Sequence, residues 1–271
     1  MPELPDVEMA RRDLQRWLRG AEITAAQSTD RYIARGSPPG FKRSLMGRTV
    51  KKVSRRGKWL RIELDDGAYG RLFSHLGMTG SWTRVELGAP TQRWERARFD
   101  LTHRGRTSSV RYIDSRRFGR LVLAREDIEE WTSLGPDPLV DGIDESALFA
   151  SLARRRQAIK DVLMDQSILA GIGNILVTEA LWLAKVDPRS PGDALTRDDV
   201  SAVAQGLRAA LEQELGERAR GQPDVFSVYG HAGKPCPRCT TPFVRIVLGG
   251  RGTTFCVQCQ PRRDAVVRKK R

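Results

Sequence analysis

Cys236-Pro237-Arg238-Cys239 and Cys256-Val257-Gln258-Cys259 hold all four cysteines of the chain, and 16 residues separate the two motifs. Each Cys-x-x-Cys turn presents two thiolates, and two such turns complete a tetrahedral shell of four sulfur atoms around one zinc ion. A closed shell leaves no position for a substrate, so the predicted ion is structural. Two disulfides in a secreted module are the alternative, but such modules are small and spread their cysteines, whereas this chain has 271 residues.

The segment between the two motifs has the pattern of a β-hairpin. Gly249-Gly250-Arg251-Gly252 forms its centre, with Val244, Ile246 and Val247 before it and 253–255 after it. Glycine pairs flanked by β-branched and aromatic residues are typical of a tight turn between two strands. We expect a zinc-clamped hairpin that carries the cation of Arg251 at its tip.

The charge of the chain indicates a polyanionic partner. Lysine and arginine number 47 against 33 acidic residues, giving a formal charge of +14 and a pI near 10.3. Nucleic acid is the first candidate, and an anionic membrane surface is the second. No apolar run approaches the roughly 18 residues that a membrane span needs, and the first 20 residues lack the apolar core of a signal peptide. These features predict a cytoplasmic, nucleoid-associated protein.

The N-terminal half predicts one helix followed by a β-sandwich. Pro5 and the acids after it are typical of a helix start, and Gly20 is a helix stop. From about residue 22 to 125 the apolar period becomes two, as in Leu60, Ile62 and Leu64, and Asp65-Asp66-Gly67 is a predicted hairpin turn. Short strands at such spacing favour a sandwich. The other predicted strands lie around Val50–Val53, Tyr69–Ser74, Phe99–Leu101, Val110–Ile113 and Gly119–Leu123.

The second half has helical periodicity. Gly135-Pro136-Asp137-Pro138 interrupts the pattern and indicates a linker over 126–145. Helices are then predicted around Leu148–Ala153, Ile159–Leu163 and Ile175–Ala184, and a long one begins at Asp198-Asp199. The predicted domains are 1–125 (helix and sandwich), 146–230 (helical), 231–261 (zinc finger) and 262–271 (basic tail). The tail is either a disordered arm that binds polyanions or a solvated end without a role.

Pro2 follows the initiator methionine directly. Removal of Met1 would expose a secondary amine, and α-amino groups have a pKa of about 7.7–8.0, so part of the amine is neutral at pH 7. A secondary amine that attacks a sugar C1′ gives an iminium ion, and Glu3 beside it is a candidate acid or base. Many proteins begin with Met-Pro, so the motif on its own favours no catalytic role, and its weight comes from the other motifs.

Three further segments are candidates for DNA contacts. Gly171-Ile172-Gly173-Asn174 precedes a helix start and could bind a phosphate, or it could be an ordinary helix–helix turn. Lys58 enters the strand of residues 60–64 and could project toward a phosphate, or belong to a solvated basic edge. Phe118, in Asp114-Ser115-Arg116-Arg117-Phe118-Gly119, could insert into a base stack or be buried. His75, His103 and His231 are scattered, and we assign them no role.

These motifs together resemble the formamidopyrimidine-DNA glycosylase family, which includes the endonuclease VIII branch. The similarity spans the whole chain. Pro2 to Glu8 is similar to the N-terminal Pro-Glu-Leu-Pro-Glu-Val-Glu of the formamidopyrimidine branch, although Asp6 replaces a glutamate there. The other matching motifs, in family order, are Ser74 to Gly80, Asp114 to Gly119, Gly171 to Asn174 and the Arg251 hairpin.

The resemblance implies an α+β, multi-domain fold: an N-terminal helix on a β-sandwich, a helix-two-turn-helix domain and a zinc-finger hairpin, with DNA in the cleft between. It implies a monomeric, bifunctional DNA glycosylase and abasic-site lyase of base excision repair that acts on damaged double-stranded DNA with one structural Zn²⁺. Strand cleavage would proceed by β- or β,δ-elimination.

The resemblance also implies a role for each matching residue. Pro2 would be the nucleophile, Glu3 would manage protons at the sugar, and Lys58 would hold a phosphate beside the lesion. Eversion of a nucleotide costs a few kcal/mol, and three side chains would fill the void that it leaves: Met78, Arg116 and Phe118. The remaining DNA-backbone contacts implied are Lys160, Asn174 and Arg251, and the implied zinc ligands are Cys236, Cys239, Cys256 and Cys259.

Two segments depart from the family pattern. Residues 94–99 replace a histidine-bearing stretch, so a phosphate contact there would come from arginine. Residues 212–228 are shorter than their counterpart and lack the long loop that folds over an everted 8-oxoguanine. We therefore predict a preference for ring-opened or non-planar damaged bases over 8-oxoguanine. The alternative function is a non-catalytic zinc-finger DNA-binding protein on the same scaffold, or a zinc-ribbon transcription factor, neither of which needs the amine of Pro2.

Overall fold

A computed structural model describes residues 2–28, 30–37, 40–65, 67–223 and 225–264. The chain divides into two compact units, residues 1–133 and 134–271. Met1, Asp66 of the predicted turn and residues 265–271 of the basic tail lie outside the described residues.

The first unit begins with helix α1, Leu4–Leu18. Pro5 lies in the first turn, where its missing N–H costs no hydrogen bond, and the chain leaves the helix through Gly20 at φ +76°. Val7, Leu14 and Leu18 are buried against the sandwich core. The predicted N-terminal helix is confirmed.

Eight strands of the first unit form two four-stranded antiparallel sheets, with strand orders β1-β6-β7-β5 and β2-β3-β4-β8. Apolar side chains from both sheets, among them Leu60, Ile62, Phe99 and Val110, form one core with α1. The predicted β-sandwich is confirmed, and β1 and β5 are two strands that we did not place individually. The strands are β1 Glu22–Ser28, β2 Val50–Arg56, β3 Trp59–Leu64, β4 Arg71–His75, β5 Ser81–Val85, β6 Glu95–His103, β7 Arg106–Ile113 and β8 Arg120–Ala124.

Two short helices complete the first unit, α2 over Phe41–Leu45 and α3 over Glu129–Thr132. Helix α3 lies inside the predicted linker. Its Trp131 is buried, with its ring 5.6 Å from that of Phe73. The start of the 126–145 segment is therefore packed structure because an aromatic anchor fixes it to the sandwich.

The described residues of the second unit form four α-helices, one short 3-10 helix over Gly192–Ala194 and a hairpin. The α-helices and strands are α4 Glu145–Leu152, α5 Ile159–Leu163, α6 Asn174–Leu183, α7 Arg197–Ala219, β9 Val244–Leu248 and β10 Arg251–Phe255. Gly249 and Gly250 connect β9 to β10, both at positive φ, where glycine avoids the penalty of a side chain. Within the described part of the chain, every helix is too short or too polar to cross a membrane.

Candidate functional site

Pro2 and Glu3 lie at the start of α1. Glu3 is the N-cap residue and is only 1% exposed. Its backbone N–H donates to Asp6 Oδ2 at 2.7 Å, while its side chain accepts from the Asp6 backbone N–H in a reciprocal capping box. The aspartate that replaces the family glutamate therefore reaches its partner, and Glu3 is held immediately beside half-buried Pro2.

Lys58 lies in the Gly57-Lys58 turn between β2 and β3, directly before the strand that we expected it to enter. The turn is tied to α1 through Arg55, whose Nη1 donates to the Gly57 carbonyl at 3.0 Å. The Nε of Arg55 donates to Glu8 Oε2 at 3.1 Å. The helix that begins beside Pro2 thus also fixes the turn that carries Lys58.

His75, to which we assigned no role, lies close to Lys58. Burial, and then the positive charges of Lys58 and Arg120, lower the pKa of His75 to about 4, so the ring is neutral at pH 7. Its Nδ1 accepts the backbone N–H of Gly77 at 3.0 Å, which leaves the proton on Nε2. A neutral histidine therefore supports the loop that leads to Met78.

Two loops carry the side chains expected to fill the void in the DNA. Phe118 is 51% exposed, so the alternative of a buried phenylalanine is wrong. Arg116 is also exposed, with its guanidinium 4.9 Å from the centroid of the Phe118 ring. Met78, half-buried, lies on the other loop.

Fully buried Asp114 joins these two loops. Thr79 Oγ1 donates to Asp114 Oδ1 at 2.5 Å, and Gly119 N donates to Asp114 Oδ2 at 2.7 Å. Gly77 adopts φ +61°, and a Cβ there would lie 2.4 Å from the backbone carbon of Phe118. Only glycine allows the two backbones to approach this closely. Met78 and Phe118 are therefore presented on one preorganised surface.

Asn174 and Lys160 form a buried polar cluster in the second unit. Lys160 is 0% exposed, and its Nζ donates to Asn174 Oδ1 at 2.6 Å and to Thr253 Oγ1 at 2.5 Å. Asn174 Nδ2 donates to the Gly252 carbonyl at 3.2 Å. The Lys160 ammonium binds partners from α6 and β10 inside the protein, and its expected proximity to the DNA backbone stays a prediction.

The Gly171–Asn174 segment leads into α6, with Gly173 as the N-cap residue and Asn174 as the first helical residue. The amide of Gln166 organises the approach: its Oε1 accepts from Gly171 N at 2.8 Å, and its Nε2 donates to the Ile172 carbonyl at 2.9 Å. Gln166 therefore holds the turn that leads into α6. The backbone N–H groups at such a helix start can bind a phosphate.

The four cysteine sulfur atoms lie within 4.8 Å of one another. The Sγ atoms of Cys236 and Cys259 are 3.9 Å apart, and those of Cys239 and Cys256 are 3.5 Å apart. Tetrahedral zinc with Zn–S bonds of about 2.3 Å needs sulfur–sulfur distances of about 3.8 Å. The set fits one structural zinc ion, which confirms the metal prediction.

Arg251 begins β10 directly after the Gly249-Gly250 turn and is exposed. Below it, Phe255 and Thr253 are buried, so the hairpin turns one face toward the helical part of its unit. Gln260, just beyond the second knuckle, donates from Nε2 to the Val186 carbonyl at 2.9 Å. The zinc module is thus anchored at its base while Arg251 projects from the tip.

Buried carboxylates hold the segment that follows α7. One oxygen of Glu179 accepts the backbone N–H groups of Val228 and Tyr229, and the other accepts that of Ser227, at 2.7–3.0 Å. Glu217 Oε2 accepts from Val225 N at 3.2 Å. Residues 225–229 are therefore bound to α6 and α7. Residue 224 lies outside the described residues.

Sequence reasoning gave three of these residues no individual role. His75, Asp114 and Glu179 are defined by hydrogen bonds to backbone groups or to distant residues. For Asp114 the available indication is its position between a strand pattern and an arginine-rich loop, where Asp often bonds backbone N–H groups. For Glu179, inside an apolar helix, the indication is its charge among buried neighbours.

Three family models match the chain. The formamidopyrimidine-DNA glycosylase N-terminal domain matches residues 1–121, and the H2TH domain of the same glycosylases matches residues 134–222. A zinc finger found in FPG and IleRS matches residues 233–262.

Known proteins are similar over nearly the whole length. A formamidopyrimidine-DNA glycosylase of Moorella thermoacetica is 40% identical over 264 residues, covering 91% of this chain and 94% of the relative. The Fpg (MutM) of Lactococcus lactis, in complex with DNA containing N7-benzyl-Fapy-dG, has a TM-score of 0.86 at 29% identity. A MutM in complex with DNA containing carbocyclic 8-oxo-G gives the same two values. Both structural matches cover 96% of this chain and 100% of the relative.

Proposed function

The chain belongs to the formamidopyrimidine-DNA glycosylase family, and we propose how its own residues carry out the glycosylase and abasic-site lyase reactions on damaged double-stranded DNA. Pro2 is the nucleophile, Glu3 the proton-transfer residue and Lys58 the phosphate-binding residue beside the lesion. Chromosomal DNA as substrate is also the reason to expect a cytoplasmic, nucleoid-associated location.

In the proposed reaction the Pro2 nitrogen forms a bond to C1′ of an everted nucleotide, and the bond from C1′ to the damaged base breaks. The departing base keeps the electron pair of the broken bond and takes up the proton that the amine loses. The sugar ring opens when O4′ accepts a proton from Glu3, leaving an iminium (Schiff-base) intermediate and a Glu3 carboxylate. That carboxylate then accepts a C2′ proton as β-elimination expels the 3′ phosphate, and a second elimination can expel the 5′ phosphate. Hydrolysis of the iminium frees the enzyme.

The observation that carries this proposal is the position of Glu3. The Glu3 carboxyl is 1% exposed and held by a capping box, and it directly follows the residue whose amine removal of Met1 would expose. Preorganised acid–base groups of this kind contribute strongly to catalysis because they need no rearrangement.

The same geometry supports a division of labour among the predicted DNA contacts. Exposed Arg251 is suited to bind a phosphate directly. Lys160, fully buried, acts by positioning Asn174 and the hairpin residue Thr253. Met78, Arg116 and Phe118 fill the void left by eversion, and Asp114 holds the loops that carry them.

Borohydride trapping on duplex DNA with an abasic site tests the covalent step. Wild-type protein should form a covalent adduct, and Pro2→Gly should lose nearly all of it. Glu3→Gln should slow base excision more than cleavage of a ready-made abasic site, since only excision requires departure of a base. The intact mass should show that Met1 is absent. An undiminished adduct in the Pro2 variant would point to a lysine amine, and no adduct with wild type would favour the non-catalytic DNA-binding alternative.

We further propose that ring-opened and non-planar bases are preferred over 8-oxoguanine. Structural relatives have been obtained with DNA of both lesion classes, so the preference depends on residues particular to this chain. Helix α7 continues to Ala219, and residues 225–229 are bound to Glu179 and Glu217. A short segment held in this way lacks the length to fold over a flat purine. Selectivity then depends on how easily a lesion leaves the stack.

Single-turnover excision rates for ring-opened bases and for 8-oxoguanine test this preference. A ring-opened purine should be excised faster than 8-oxoguanine opposite cytosine in the same sequence context. An abasic site in that context serves as the control because it needs no cover over a base. Equal rates for the two lesions would contradict the preference while leaving the assignment of Pro2 intact.

A further inference from the structure

Trp94 has the most exposed ring among the six tryptophans of the chain. It is 45% exposed, whereas Trp17 is half-buried and the other four, Trp59, Trp82, Trp131 and Trp182, are at most 9% exposed. A single exposed apolar side chain is ordinary on a protein surface. Trp94 differs from such ordinary exposed side chains in its backbone conformation, its position and its charged neighbours.

The backbone of Trp94 is strained. Its φ of +62° lies in the left-handed region, which is unusual for a bulky residue and costs about 1–2 kcal/mol relative to ordinary helical or extended backbone. Glycine would occupy the position without this cost. Strain of this kind persists where the surroundings enforce it and is concentrated at functional sites.

Hydrogen bonds fix Trp94 to the base of the loop that carries Arg116 and Phe118. The Trp94 carbonyl accepts the backbone N–H of Asp114 at 3.0 Å. Two residues on, Arg96 Nε donates to the Asp114 carbonyl at 2.8 Å. The backbone of Trp94 is therefore attached to the base of the loop proposed to enter the base stack.

Arginines lie near Trp94 in space and in sequence. The Arg93 guanidinium lies 4.2 Å from the centroid of the Trp94 ring. Buried Asp30 pairs with Arg117 of the Phe118 loop and with Arg96, two residues after Trp94, with Arg117 Nε at 2.6 Å and Arg96 Nη1 at 3.8 Å. An exposed aromatic ring among guanidinium groups is the arrangement with which proteins stack unpaired bases and neutralise the backbone beside them.

Two nearby exposed side chains are less suited to stacking. Tyr32 is 47% exposed, but two guanidinium groups contact its ring, those of Arg31 and Arg117 at 5.2 and 4.7 Å, whereas the described contact on the Trp94 ring is that of Arg93. Leu87 is 48% exposed and has no ring.

We propose that Trp94 is an additional DNA-binding residue whose indole stacks on a base that eversion of the damaged nucleotide exposes and that Met78, Arg116 and Phe118, which fill the void itself, leave uncovered. In an intact duplex both faces of each base are covered, so a protein ring can stack only where the helix has been opened. The proposal rests on the proposed function, because eversion supplies that base.

Binding measurements with two duplexes of one sequence test the proposal, one containing a tetrahydrofuran abasic-site analogue and one undamaged. Stacking on one base contributes about 1–3 kcal/mol, so Trp94→Ala should weaken binding to the abasic-site duplex by about 5- to 140-fold. Binding to the undamaged duplex should change much less. Trp94→Phe should retain most of the affinity, and Leu87→Ala, the control from the same β5–β6 connection, should match wild type.

Thermal unfolding of Trp94→Gly separates stacking from packing. Because glycine relieves the left-handed strain, this variant should melt no lower than wild type while binding as weakly as Trp94→Ala. A lower melting temperature would assign the ring a packing role and overturn the proposal. Equal losses on both duplexes, or no loss, would also overturn it. Whichever of these outcomes is found, borohydride trapping by the wild-type protein would still report separately on the proposed function.

Discussion

At the scale of single residues, burial determines whether a cationic side chain is available for direct contact with DNA. Lys160 and Arg251 are both cations, yet Lys160 is fully buried whereas Arg251 is exposed at a hairpin tip. A buried ammonium is tolerated only when hydrogen bonds replace its hydration. Asn174 and Thr253 provide those bonds for Lys160, so its effect on DNA is transmitted through the residues it positions.

Replacing Lys160 with methionine should therefore lower the free energy of unfolding. The variant leaves the Asn174 and Thr253 oxygens without their buried donor, at an expected cost of about 1–3 kcal/mol in the free energy of unfolding. Urea unfolding and the rate of zinc release to a chromogenic chelator would measure the effect. Lys234→Met, which removes an exposed lysine of the same unit, should leave both unchanged. If the two variants behave alike, the buried cluster does not stabilise the finger.

At the scale of elements, Glu8 connects α1 to strand β2 and to the Lys58 turn. Burial alone would raise its pKa, but hydrogen bonds from Arg11, Arg12 and Arg55 outweigh burial and lower the pKa to about 2. Arg55 then donates to the Gly57 carbonyl. One carboxylate thus holds together the two elements that present Pro2 and Lys58.

The stabilisation by Glu8 should depend on pH in a defined direction. Because its folded-state pKa lies below the unfolded value of 4.5, its contribution is complete above about pH 5 and is lost as the pH falls toward 2. With Arg12 half exposed to solvent, we expect Glu8→Gln to cost about 2 kcal/mol at pH 7. Urea unfolding should show this difference shrinking by pH 3.5. A difference that stays constant with pH would mean that the ion pairs contribute nothing.

At the scale of the whole molecule, the predicted DNA contacts are divided between the two units. Pro2, Lys58 and the Asp114 loop belong to residues 1–133, whereas Asn174 and Arg251 belong to residues 134–271. The chain carries a formal charge of +14, so general attraction to DNA is expected from many cations. The specific contribution of one contact appears in the salt dependence, because each phosphate contact releases counterions.

Arg251→Ala should reduce the slope of log affinity against log salt by about one unit while leaving the melting temperature unchanged. Arg262→Ala removes the same charge from a guanidinium paired with Asp264 and should alter the slope much less. Zinc chelation should weaken binding further because it unfolds the module that carries Arg251. Identical slopes for the two arginine variants would exclude a specific contact at the hairpin tip.

The features that the sequence by itself determined are those whose cause is local. The Cys-x-x-Cys spacing defined the zinc ligands, Pro5 and the acids after it marked the start of α1, and the alternation over residues 60–64 identified β3, because each pattern depends on neighbours a few residues away. The glycines at 249 and 250 similarly predicted the hairpin turn.

Only the tertiary structure decided the features that depend on distant partners. Lys160 meets Asn174 14 positions later and Thr253 93 positions later, and no local pattern distinguishes it from a surface lysine. Asp114 joins two loops through Thr79, 35 positions away, and Trp94 takes its strained backbone where it meets Asp114. Burial and strain are set by the groups that the completed fold brings together, so they become visible only after the long-range contacts have formed.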